Sequence, residues 1–118
     1  MLNAKKLLGK ILTCPLVVES GTSGAWTYRK WSDGVAECWT NVSKQVAANT
    51  IDTTTYVDYP FEFAEYPVAT IGLLAGGSDI YRAHIISRTT TQIRFCLINK
   101  HTATVGLGLG VYVKGRCK

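Results

Sequence analysis

The stretch WTYRKWSDGVAECW, residues 26–39, holds all three tryptophans of the chain, one of its four cysteines and one Asp-Gly pair. Asp33-Gly34 stands between two β-prone runs, and Asp-Gly in that setting is the strongest short-range signal for a β-hairpin. A two-residue turn pairs Ser32 with Val35, Trp31 with Ala36, Lys30 with Glu37, Arg29 with Cys38, Tyr28 with Trp39 and Trp26 with Asn41. That register puts an opposite-charge pair beside an aromatic pair on one face and covers the small Ala36 with Trp31 on the other. Each such cross-strand pair contributes roughly 0.2–1 kcal/mol. The hairpin is expected to be a structural nucleus, its tryptophans packing a thin sandwich, rather than a sugar-stacking surface.

Outward from the hairpin the same period holds. Beyond Pro15 apolar residues recur at every second position, and the runs are bounded by Gly, Pro, Asn and Asp, a pattern of strands and turns. Strands are expected over 16–19, 53–59, 68–74, 80–88, 92–98 and 103–116, in addition to the hairpin. SGTSG (20–24), the polar stretch 43–50, AGGSD (75–79) and 99–102 read as loops. The expected fold is all-β, an antiparallel β-sandwich of about six to seven strands. In the last strand GLGLG places Gly106, Gly108 and Gly110 on one face and Leu107, Leu109 and Val111 on the other. Same-face glycines leave a groove without side chains, to be filled by tryptophan rings of the same chain or by a neighbouring subunit.

At 118 residues the chain has room for one domain. Residues 14–118 form it, and residues 1–13, MLNAKKLLGKILT, make a short helical or extended lead-in. Lys10 interrupts the apolar run there, so a signal peptide does not fit. Leu7, Leu8, Ile11 and Leu12 give the lead-in an apolar stripe suited to a subunit contact. With 47% hydrophobic and 18% charged residues the chain has enough apolar matter to fold. Its formal charge of +5 favours anionic partners, but the basic residues are spread along the chain rather than clustered, which argues against nucleic acid. No run is long enough to insert in a membrane.

The cysteines lack Cys-x-x-Cys spacing and neither histidine lies at metal-motif distance from one, so no metal or other cofactor is expected and the thiols read as free. The carboxylates are scattered among turns, and no nucleophile adjoins a base, so no enzyme is expected. Two loops combine aromatic and polar groups of the kind that hold a ligand: Asp79, Tyr81 and Arg82 in one, Asn99 and His101 in the other. Alternating strand direction would open both at one end of the sandwich.

Several of these motifs together resemble the C-terminal domain of bacteriophage and prophage tail-fibre proteins. The run VVESGTSGAWTYRKWSDGVAECW is similar to the start of that domain. Tyr59-Pro60 and Tyr66-Pro67 around Phe61 and Phe63, the strand TQIRFCLIN and the ending VYVKGRCK match further features of it. The resemblance implies a β-sandwich like the H-type lectins in plan, assembled as a homotrimer at a fibre tip. It further implies a virion protein that binds bacterial surface polysaccharide and joins other virion proteins through residues 1–13. A capsid or baseplate decoration or assembly protein without receptor binding is the alternative.

Overall fold

The computed structural model describes residues 15–74 and 80–118. Eight strands form, β1 (Val17–Ser23), β2 (Trp26–Trp31), β3 (Val35–Val46), β4 (Thr50–Asp58), β5 (Val68–Leu73), β6 (Tyr81–Arg88), β7 (Gln92–Asn99) and β8 (Val105–Arg116). They make a larger sheet ordered β1-β2-β3-β8-β5 and a smaller one ordered β4-β7-β6, with every pairing antiparallel. The all-β antiparallel sandwich expected from the alternation is therefore present. The lead-in, with Leu7, Leu8, Ile11 and Leu12, lies outside the described residues.

The core is what the period-2 pattern dictates. Ala36, Cys38 and Val46 of β3 and Leu107, Leu109, Val111 and Val113 of β8 point inward from the larger sheet, facing Ile93, Phe95 and Leu97 of β7. Between the sheets run five aromatic rings in edge-to-face contact. Trp26 meets Tyr59 at 6.1 Å, Tyr59 meets Phe63 at 5.2 Å, Phe63 meets Phe61 at 5.1 Å, and Phe61 meets Tyr28 at 5.8 Å. Edge-to-face pairs contribute about 0.5–1.5 kcal/mol each beyond burial. Trp26 Nε1 donates to the Asp58 carbonyl at 2.8 Å, so the indole's one polar group is satisfied. The ring series ties the first hairpin to the connection between β4 and β5.

The hairpin register differs by one residue from the expected one. Thr27 pairs with Trp39, Tyr28 with Cys38, Arg29 with Glu37 and Lys30 with Ala36. Gly34 N donates to the Trp31 carbonyl at 3.1 Å, and Gly34 has φ of +91°, so the loop is three residues long, with glycine in the left-handed position. Asp33 Oδ1 accepts from Val35 N at 3.1 Å and holds the exit. Burial decides the slip: it leaves Trp26 and Tyr28 facing the same side as Ala36 and Cys38, with Trp39 on the outer face opposite Thr27. Only Trp26 enters the core, whereas Trp31 and Trp39 are half-buried on the outside.

Two stretches read as loops are strands. Ser20–Ser23 continue β1, paired with Arg29–Trp26 of β2, and residues 43–46 continue β3, paired with Gly108–Val105. Their polar side chains are exposed, where polarity carries no cost, and their backbones pair with β2 and β8. Cys38 and Cys96 are buried, Cys117 is half-buried, and all three are free.

Two measurements follow. Gly34→Ala forces a side chain into left-handed backbone and should lower unfolding stability by about 1–3 kcal/mol in denaturant titration, whereas Gly72→Ala, where an added Cβ meets nothing within 4 Å, should be neutral or slightly stabilising. Burial, aided by the nearby Glu37 charge, pushes the Cys38 thiol from 9.0 up to about 12, and burial likewise pushes the Tyr59 phenol from 10.0 up to about 12. The unfolded chain releases these protons first, so the stability they contribute is complete below pH 9 and fades toward pH 12. The denaturation midpoint should fall progressively as pH is raised through that window, and less steeply in Cys38→Ala.

Candidate functional site

The outer face of the larger sheet carries an ordered set of side chains laid out by register. Successive cross-strand rows read Arg29, Glu37, Lys114 and Val68, then Thr27, Trp39, Tyr112 and Thr70, then Asn41, Gly110 and Gly72. Arg29 stands between two indoles, its guanidinium carbon 6.0 Å from the Trp31 ring centre and 5.5 Å from that of Trp39. Such cation–π contacts contribute about 0.5–1 kcal/mol at exposed positions. Arg29 Nε also approaches Glu37 Oε1 at 3.9 Å, and Glu37 Oε2 accepts a short hydrogen bond from the Tyr112 hydroxyl. Partial burial, with the hydrogen bond to Glu37 next, pushes the Tyr112 phenol up to about 12, so it remains a donor at neutral pH. The network runs Trp31, Arg29, Glu37, Tyr112 and fixes the rings without any core packing.

Beside the aromatic row lies a groove of about 540 Å3 whose lining includes Thr27, Trp39, Asn41, Thr70, Gly72, Gly110 and Tyr112. Its floor is the backbone of β8 and β5. Gly106, Gly108 and Gly110 all lie on this outer face, as the alternation requires. A Cβ at Gly108 or Gly110 would meet Leu74, Ser43 or Asn41 and no tryptophan among the described residues. The indoles of this chain therefore do not fill the groove, although Trp39 forms part of its wall.

The loop residues singled out in the sequence fall at one end of the sandwich. Tyr81 pairs with Asn99, Lys100 N donates to the Ile80 carbonyl at 2.8 Å, and Asn49 N donates to the His101 carbonyl at 3.0 Å. Tyr81 and His101 lie ring to ring at 6.4 Å, tilted by 33°. Arg82 points to the outer face of the smaller sheet, in register with Ile98 and away from Tyr81. Asp79 lies outside the described residues. Asn99 is 1% exposed. Its Nδ2 donates to the carbonyls of Val46, Ala47 and Ala103 at 3.0, 3.1 and 3.0 Å, and its Oδ1 accepts from His101 N at 2.8 Å. That amide pins three chain segments together and has no donor left over. His101 Nδ1 in turn accepts from Ala103 N at 3.1 Å.

Trp39, Tyr112, Asn41 and Gly72 were not singled out as site residues. The signal that marks them is shared parity with GLGLG: Gly72 pairs with Gly110 and Trp39 with Tyr112, but only the observed register makes this visible.

No family model and no curated protein matches the chain. Among solved structures, an N-truncated R1-type pyocin tail fiber shares a TM-score of 0.71 at 13% identity over 98% of both chains. A P. aeruginosa R1 pyocin fiber gives a TM-score of 0.71 at 13% identity, with 98% of this chain covering 32% of that one. A P. aeruginosa R2 pyocin fiber gives 0.57 at 17% identity, over 98% of this chain and 30% of the other. The chain shares the fold of these tail-fibre ends. The similarity anticipated from the tail-fibre motifs thus has a structural counterpart at 13–17% sequence identity.

Asn99→Ala should cost about 2–4 kcal/mol in thermal or chemical unfolding, because it leaves three carbonyls and the His101 amide without their partner. Asn99→Asp should be nearly as damaging, since a carboxylate cannot donate to carbonyls.

Proposed function

We propose that this chain is a structural protein of a phage or phage-derived particle, a tail-fibre-tip-like domain that adheres to bacterial surface glycans. The observation that carries the reading is the fold shared with the R1-type pyocin tail fiber over 98% of both chains. The motifs of the first hairpin, the aromatic-Pro pairs and the terminal strand point the same way. An open groove walled by aromatic and hydroxyl side chains is the kind of surface that takes sugars. In this reading the chain works as a homotrimer on the virion, without catalysis, and residues 1–13 supply the attachment to other virion proteins, with Leu7, Leu8, Ile11 and Leu12 against a neighbouring subunit. Its net positive charge suits acidic cell envelopes.

Adhesion is tested by incubating the labelled full chain with intact cells and isolated envelope fractions from a panel of bacteria. Retention by at least one strain, saturable and displaced by unlabelled protein, is expected. Failure to bind any strain by a protein that melts cooperatively would favour a capsid or baseplate decoration role instead. Light scattering at micromolar concentration should report three subunits, and a monomer with residues 1–13 intact would remove the trimer.

A further inference from the structure

The larger sheet leaves a gap on its outer face that the described chain does not fill. Gly72 and Gly110 are register partners on β5 and β8. Among the described residues a Cβ at Gly72 would meet nothing within 4 Å, and one at Gly110 would meet Asn41 Oδ1 at 3.8 Å, Leu74 Cδ2 at 3.9 Å and the Gly72 carbonyl at 4.0 Å, all ordinary contact distances. Neither glycine has a positive φ. Packing and backbone conformation would thus both accept a side chain here. Glycine inside a strand nonetheless costs about 0.5–1 kcal/mol relative to alanine, and it marks places where a ligand or another backbone comes close.

The walls of this shelf identify the occupant. Trp39 and Tyr112 stand side by side along one edge, and the side chains of Thr27, Asn41 and Thr70, which make no hydrogen bond among the described residues, border the remainder. The groove of about 540 Å3 falls within the roughly 300–1,000 Å3 of small-molecule clefts. A pyranose ring has a C–H face that packs on an aromatic surface and a rim of hydroxyls that need amide and hydroxyl partners. A bare backbone floor lets such a ring lie flat. We infer that the Gly72–Gly110 shelf, walled by Trp39 and Tyr112, binds a pyranose unit of a bacterial surface polysaccharide. The inference rests on the adhesion reading and locates its site on the sheet face rather than at the Tyr81–His101 end.

Two features favour a saccharide over a second copy of the chain. The next row, Arg29, Glu37 and Lys114, is charged, whereas the centres of protein interfaces are depleted of charge. The rings are also held before any ligand arrives, Trp39 by Arg29 and Tyr112 by Glu37, which reduces the ordering cost of binding a small, weakly held group.

The test uses the full chain and surface polysaccharides purified from the bacterial panel, immobilised for surface plasmon resonance. Gly72→Val and Gly110→Ala fill the shelf from two strands, Trp39→Ala removes its wall, and Tyr81→Ala is the control at the loop end. Shelf-filling variants should melt at or above the wild-type temperature yet bind at least tenfold more weakly, while Tyr81→Ala binds as wild type. If Gly72→Val and Gly110→Ala both bind a polysaccharide as tightly as wild type does, the shelf is not the site and adhesion still stands. Wild-type protein that binds none of the polysaccharides overturns adhesion and the shelf together. Weakened binding accompanied by a lower subunit number in light scattering assigns the shelf to a second copy and overturns the saccharide.

Discussion

The pairing of β3 with β8, registered without a break from Val35↔Arg116 to Val46↔Val105, is the constraint from which the rest of the molecule follows. It places β2 and β1 on one side of the larger sheet and β5 on the other, and it sets which residues face the smaller sheet. Because side chains alternate across a strand, one decision about β8 makes two surfaces. Leu107, Leu109, Val111 and Val113 close the core, while Gly106, Gly108, Gly110 and Tyr112 form the outside. The groove and the hydrophobic core are two sides of the same ladder.

The three tryptophans divide along the same plane. Trp26 heads the ring series through Tyr59, Phe63, Phe61 and Tyr28 that fills the space between the sheets. Trp31 and Trp39 belong to the opposite surface, where Arg29 lies between them. Tryptophan spent on an outer face, braced by a guanidinium and a carboxylate, is rigid apolar area presented to the surroundings, and a protein concerned only with stability gains little from it.

Much of this was legible in the residues. Alternation in 105–113 located the central strand of the larger sheet and its buried face, because its aliphatic side chains fall on one side only. Asp33-Gly34 located the turn but not its length. A two-residue and a three-residue loop differ by one position, and the choice is made by which partner set, Trp26 and Tyr28 or Trp31 and Arg29, finds room between the sheets. That slip gives Trp39 Thr27 rather than Tyr28 as its partner on β2, and the groove itself follows from the pairing of β3 and β5 with β8, which no local pattern displays. Residues 43–46 looked like loop for a related reason: their composition is polar, and only the length of β8 holds them in the sheet. Asn99, by contrast, reads as a ligand residue because its loop is one of two that combine aromatic and polar groups, and nothing local announces that three carbonyls converge on it.

The shared ladder also limits how such a surface can diversify. A single-residue insertion in β8 would rotate its leucines to the outside and its glycines into the core, so this face cannot vary by gaining or losing residues. It can vary by exchange, one position at a time, and Gly72 is the position on this face where an added Cβ meets nothing within 4 Å among the described residues. Lineages of this domain would therefore be expected to keep the length of β3, β5 and β8 and to differ in side-chain volume along the outer rows.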